Sequence, residues 1–164
     1  MKKALVTIFI YLGFLVPSYS ADYTLYLVRH AEKQTGGKDP SLTYCGQQRA
    51  LQLASILSKT NIEQVYSTNY KRTIQTATPS ANKHNTSIKY YSPKDLDQFS
   101  TLLQHYQKNA LIVGHSNTTP QLASLLSGKK VADLTEKDYQ MLYQIQFIEG
   151  KTILTELIQP LSCR

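Results

Sequence analysis

The chain has 164 residues, 41% of them hydrophobic and 10% aromatic, enough for the core of one domain. Charged residues make up only 18%, which excludes a charged disordered tail and a coiled coil, and seven glycines and six prolines exclude collagen-like or proline-rich repeats. The net charge of +7 is not gathered into a lysine or arginine stripe, so it suits an anionic substrate and leaves no footprint for nucleic acid.

The first twenty residues stand apart. Lys2 and Lys3 precede an apolar run over 4–16, and Ser18 and Ser20 then place small residues at −3 and −1 of a cut after Ser20. This pattern predicts a signal peptide over 1–20, a single mature domain over 21–164, and a periplasmic or secreted location without stable membrane insertion. An uncleaved anchor is the alternative, but the run is shorter than the roughly 20 apolar residues of a bilayer span. Export implies an oxidising compartment, where Cys45 and Cys163 form a candidate disulfide. Two unpaired thiols are the other reading. Closing so long a loop contributes about 4–5 kcal/mol in the chain-entropy model.

Residues 23–28 (YTLYLV) read as a strand, and 34–40, with Gly36, Gly37 and Asp39-Pro40, as a loop. Thr43 is placed to cap a helix running to about residue 58, with Ala50, Leu53, Ala54 and Leu57 on one apolar face. A brief strand is expected over 64–67. A helix over 70–83 follows, with a break or kink at Pro79. Residues 87–91 suggest a third strand and 94–107 another helix. The uninterrupted apolar run 110–113 (ALIV) predicts a central strand covered on both faces, followed by a helix from Pro120 to about 126. Alternation over 142–148 and 152–158, joined through Glu149-Gly150, signals a hairpin. The order predicts a three-layer α/β/α sandwich whose sheet is mostly parallel, with an antiparallel edge near the C-terminus.

In such sheets ligands bind beyond the carboxyl ends of the strands. Three polar segments stand there: Arg29-His30 after the first strand, Ser67 to Thr73 with Arg72 after the second, and Gly114-His115-Ser116-Asn117 after the central one. Two arginines bind phosphate oxygens through paired charge-assisted hydrogen bonds, and a neutral imidazole between them is a nucleophile. This suits phosphoryl transfer through a phosphorylated histidine. A metal site on His30 and His115 fits poorly beside arginines and lacks the usual ligand spacings. The serine-hydrolase and P-loop motifs are absent from the sequence.

Taken together, these motifs resemble the histidine phosphatase superfamily, also called phosphoglycerate mutase-like, over about residues 23–128. Leu42-Thr43 with Gly46 and Arg49-Ala50 is also similar to the family's first helix. The resemblance is to a compact branch without a large cap. It implies that His30 attacks phosphorus and becomes phosphohistidine, while Arg29, Arg72 and His115 bind the phosphoryl oxygens and no metal or other cofactor is needed. Asn117 adds a polar contact or caps a helix.

The general acid has no clear motif. Asp95 is the first candidate and Asp97 the second, and Asp95 suits the first turn of a helix equally well. Glu32 would orient His30 or handle a proton, or else pair with Lys33 or Arg49 on the surface. The expected substrate is a phosphorylated small molecule, a surface glycan or a phosphoprotein. A catalytically weak phosphate-binding module of the same fold is the alternative function.

Overall fold

A computed structural model describes residues 21–161. The expected signal segment 1–20 and Cys163 lie outside the described residues. Among the described residues no helix is long and apolar enough to cross a membrane.

The elements follow in the order β1 (Tyr23–Arg29), α1 (Tyr44–Ile56) continued by a 3₁₀ turn (Leu57–Lys59), β2 (Gln64–Ser67), α2 (Lys71–Lys83), β3 (Ile88–Tyr90), α3 (Leu96–Tyr106), β4 (Ala110–Gly114), α4 (Thr118–Ser127), β5 (Met141–Ile148) and β6 (Lys151–Ile158). One six-stranded sheet runs β3-β2-β4-β1-β5-β6. The pairs β2·β3, β2·β4 and β1·β4 are parallel, while β5 and β6 run antiparallel at one edge. The expected fold class is the observed one.

Strand alternation sends side chains to two layers of helices. Leu25, Leu27 and Ile112 face one core with Phe99 and Leu103 of α3 and Leu122 and Leu126 of α4. Tyr26, Val28, Leu111 and Val113 face the other with Leu53 of α1, Leu57, and Ala77 and Ala81 of α2. β4 is buried throughout, as its unbroken apolar run requires.

Thr43 caps α1, its Oγ1 accepting from the amide of Gly46. Gly46 is required for packing: a Cβ there would stand 2.2 Å from the carbonyl oxygen of Glu32. The expected break at Pro79 does not occur, and α2 runs through it. Proline removes one helix hydrogen bond, but Thr76, Ala77, Ser80 and Ala81 on both sides of it are buried, and their packing holds the turn. α4 begins at Thr118, ahead of Pro120, so the proline lies in the first turn where its missing N–H leaves no partner unmet. The β5–β6 turn has positive φ at both Glu149 and Gly150, which matches the right-handed twist of a two-residue hairpin.

Cys45, in the first turn of α1, is disulfide-bonded. The chain beyond β6 lies against the same helix: the amide of Leu161 donates to Gln52 Oε1, and Arg49 Nη2 donates to the Leu161 carbonyl.

Candidate active site

β1 and β4 are parallel neighbours in register, with Arg29 opposite Gly114. Their carboxyl ends therefore deliver His30 and His115 side by side. The amide of His30 extends the pairing by donating to the Gly114 carbonyl at 2.9 Å. The two imidazole rings meet edge to face with centroids 5.7 Å apart. β2 ends on the other side of β4 and leads through Thr68 into α2, which carries Arg72 in its first turn.

Each of the four groups is held. His30 is 3% exposed, and its Nδ1 lies 2.8 Å from the carbonyl oxygen of Ala31. A carbonyl only accepts, so the proton sits on Nδ1 and the Nε2 lone pair is free. The Ala31 amide in turn donates to Thr76 Oγ1 on α2, which pins this turn of chain. Burial pushes the pKa of His30 down to about 3, the Ala31 bond opposes this in part, and Arg29, Arg72 and His115 lower it further. The ring is neutral at physiological pH. Burial is the larger cause, ahead of the neighbouring guanidinium groups that the sequence makes conspicuous.

His115 is likewise lowered, to about 4, by burial first and then by Arg72 and Arg29. Its Nε2 donates to Thr68 Oγ1 at 3.0 Å, and Thr68 Oγ1 donates to Thr73 Oγ1 at 3.0 Å. Its Nδ1 accepts weakly from Arg72 Nη2 at 3.4 Å. Gly114 leaves room for this corner, because a Cβ there would come within 2.9 Å of both Thr119 Oγ1 and the Tyr91 hydroxyl.

Arg29 is 2% exposed. It donates through Nη1 to the Thr135 carbonyl at 2.8 Å and through Nη2 to Glu136 at 2.9 Å, and it lies 4.2 Å over the ring of Tyr139. Arg72 stacks 4.6 Å over Tyr70, and its Nη1 lies 3.5 Å from Asp39. The Nε–H groups of both arginines are buried without a hydrogen-bond partner. Two stacked guanidinium groups with donors to spare, converging on two neutral histidines, form a site for a tetrahedral oxyanion. Among the described residues no group of three His, Cys, Asp or Glu side chains is placed to hold a metal ion.

The remaining sequence candidates fall elsewhere. Asp95 is the N-cap residue of α3, makes no side-chain capping bond, and lines a separate cavity with Tyr66, Tyr90 and Tyr91. Asp97 lies in the first turn of α3. Asn117 occupies the N-cap position of α4, exposed and without a side-chain capping bond. Glu32 does pair with Arg49, but inside the protein rather than on its surface: Arg49 Nε and Nη2 grip both carboxylate oxygens at 2.6–3.0 Å, with the arginine side chain 5% exposed.

Sequence reasoning missed Glu136 and Tyr139. The topology contained the signal. β5 runs antiparallel beside β1, with Leu142 opposite Val28, so the residues just before β5 must arrive where β1 ends.

Residues 25–100 match the family model of the histidine phosphatase superfamily (branch 1). The match holds Arg29, His30 and Arg72. Among solved structures, the protein histidine phosphatase SixA complexed with tungstate is 17% identical, with a TM-score of 0.68 over 83% of this chain and 97% of that one. A mycobacterial glucosyl-3-phosphoglycerate phosphatase is 10% identical, with a TM-score of 0.63 over 87% and 100%. A phosphoserine phosphatase from Entamoeba histolytica in complex with 3-phosphoglyceric acid is 17% identical, with a TM-score of 0.57 over 85% and 98%. At these identities the likeness is one of fold. No curated protein sequence matches the chain.

Proposed function

We propose that the chain is a metal-independent phosphatase that hydrolyses phosphomonoesters or phosphohistidine through a covalent phosphohistidine on His30. The observation that carries this is the state of that ring: neutral, buried, its Nδ1 proton tied to Ala31, its Nε2 lone pair free, and both guanidinium groups near enough to lower its pKa. Nε2 attacks phosphorus and the bond to the leaving group breaks. Arg29 and Arg72 donate to the phosphoryl oxygens and stabilise the charge spread over them in the transition state, and His115 joins them through Nδ1–H when the negative charge of the bound phosphoryl group favours its imidazolium form. Water then attacks the phosphohistidine, the P–N bond breaks, and inorganic phosphate leaves with His30 neutral again.

The superfamily match and the SixA-like fold support a phosphatase of this type. The resemblance to a branch without a large cap supports a bulky substrate, such as a phosphorylated surface glycan or phosphoprotein, besides small phosphomonoesters. The N-terminal pattern over 1–20 supports export, which cell fractionation of the full chain tests directly.

The experiment is hydrolysis of p-nitrophenyl phosphate by residues 21–164 in the presence of a chelator, beside His30→Ala. Turnover that survives the chelator and vanishes in the variant is expected. Turnover that persists in a folded His30→Ala variant would overturn the covalent mechanism, and loss restored by added metal would overturn metal independence. Phosphate binding without turnover of aryl phosphate or phosphohistidine donors would leave a phosphate-binding module.

A further inference from the structure

Expelling an alkoxide requires a proton donor beside the two histidines and two arginines. Four carboxylates stand close by. Glu32 is gripped on both oxygens by Arg49. Asp39 accepts from the amide of Lys71 through both oxygens, at 3.0 and 3.2 Å, and so holds the first turn of α2. Asp138 accepts from the amide and hydroxyl of Thr135 at 2.7 and 2.6 Å and shapes its own loop. Glu136 alone of the four is anchored to no backbone amide and no structural arginine. Among the described residues it meets only Arg29 Nη2 at 2.9 Å and the hydroxyl of Ser116 at 3.4 Å.

Its position is that of an acid. On one side Glu136 touches a phosphate-binding guanidinium. On the other it lines a groove of about 620 Å³ with Tyr139, Gln140, Gln159 and Arg49. The bridging oxygen of a phosphomonoester lies at that same junction, with phosphate on one side and the leaving group on the other. In-line attack adds a second constraint. The leaving oxygen must point away from His30, which is buried at 3% exposure, and therefore toward the mouth, where the Glu136 side chain is 78% exposed.

We infer that Glu136 is the general acid and base of this site, and that the leaving group lies in the groove it lines. The inference rests on the phosphohistidine reading above. A bound phosphoryl group competes with Glu136 for Arg29 and leaves the carboxyl group facing the leaving oxygen. The Glu136 proton passes to the leaving oxygen as the P–O bond breaks. The resulting carboxylate then takes a proton from the water that attacks phosphohistidine, so the residue is protonated again when phosphate departs.

The test is Glu136→Gln, an exposed isosteric change, examined by single-turnover kinetics with p-nitrophenyl phosphate and with glycerol 2-phosphate, following phosphate label on His30. A good leaving group needs no acid, so the nitrophenolate burst should slow far less than phosphorylation by glycerol 2-phosphate, and labelled His30 should accumulate. Phosphorylation by glycerol 2-phosphate should slow on the order of 100-fold. Equal slowing with both substrates would overturn the inference and leave Glu136 an electrostatic partner of Arg29. Full activity in Glu136→Gln together with leaving-group-dependent slowing in Asp95→Asn would overturn it in favour of Asp95. Wild-type protein that turns over without labelling His30 would overturn the underlying reading instead, and this inference with it.

Discussion

The hydroxyl of Thr68 lies 3.0 Å from Nε2 of His115, and both Thr68 and the Thr73 behind it are fully buried. Thr68 is the first residue after β2, and His115 the first after β4. The bond therefore ties two neighbouring strand ends through side chains and fixes which nitrogen of His115 faces Arg72. Thr68→Val keeps the shape and removes the acceptor. Losing one such bond costs about 1 kcal/mol, so kcat/KM for an aryl phosphate should fall roughly five- to tenfold with the fold retained. Unchanged kcat/KM would show that His115 is oriented by Arg72 and its packing instead.

A neutral buried histidine makes stability depend on pH in a fixed direction. The folded pKa of His30 is about 3 against 6.5 for the free side chain, and that of His115 about 4. Between these limits the unfolded chain binds protons that the native protein refuses, so stability is full above pH 6.5 and declines as pH falls toward 4 and then 3. Thermal midpoints of wild type and of His30→Gln, measured from pH 7 to pH 4, should converge or cross because the variant lacks one of these terms. Parallel curves would mean that His30 is protonated normally. The same low pKa predicts that kcat/KM shows no acidic limb due to His30 above pH 5.

Most of the fold was legible because its signals are local. Val28 and Val113 close the apolar runs of β1 and β4, and the residues that follow them, Arg29-His30 and Gly114-His115, line the candidate site. The order of strands and helices was enough to bring those ends together. What escaped was delivered by long-range pairing. Glu136 and Tyr139 belong to a polar loop with no periodicity, and only the antiparallel placement of β5 beside β1 brings them to Arg29. The helix over 71–83 continues through Pro79 for a related reason, since propensity at one residue is outweighed by the buried residues around it.

Gly46 tests how tightly α1 seats against the strand end. Its hypothetical Cβ would meet the backbone of Glu32, not a flexible side chain, so the clash cannot be relieved by a rotamer change. Gly46→Ala should destabilise by about 1–3 kcal/mol through overpacking. It should also shift Glu32 away from Arg49. Because Glu32 lies two residues beyond His30, activity should fall at temperatures where the variant is still folded. Chemical unfolding together with kcat at 20 °C separates the two effects. A variant as stable as wild type would show that the Thr43–Gly46 turn relaxes without cost.

Tyr139 carries the last test. Its ring lies 4.2 Å beneath the guanidinium of Arg29, whose Nη1 and Nη2 are already engaged by Thr135 and Glu136. Stacking holds the plane of the guanidinium and leaves its edge for phosphate oxygens, a function of the ring and not of the hydroxyl. Tyr139→Phe should therefore leave KM for aryl phosphate and the inhibition constant of inorganic phosphate unchanged. Tyr139→Leu should raise both by about fivefold, the equivalent of roughly 1 kcal/mol for a cation–π contact at a partly exposed site. Equal weakening in the two variants would assign the effect to the hydroxyl. Weakening in neither would mean that Thr135 and Glu136 suffice to hold Arg29.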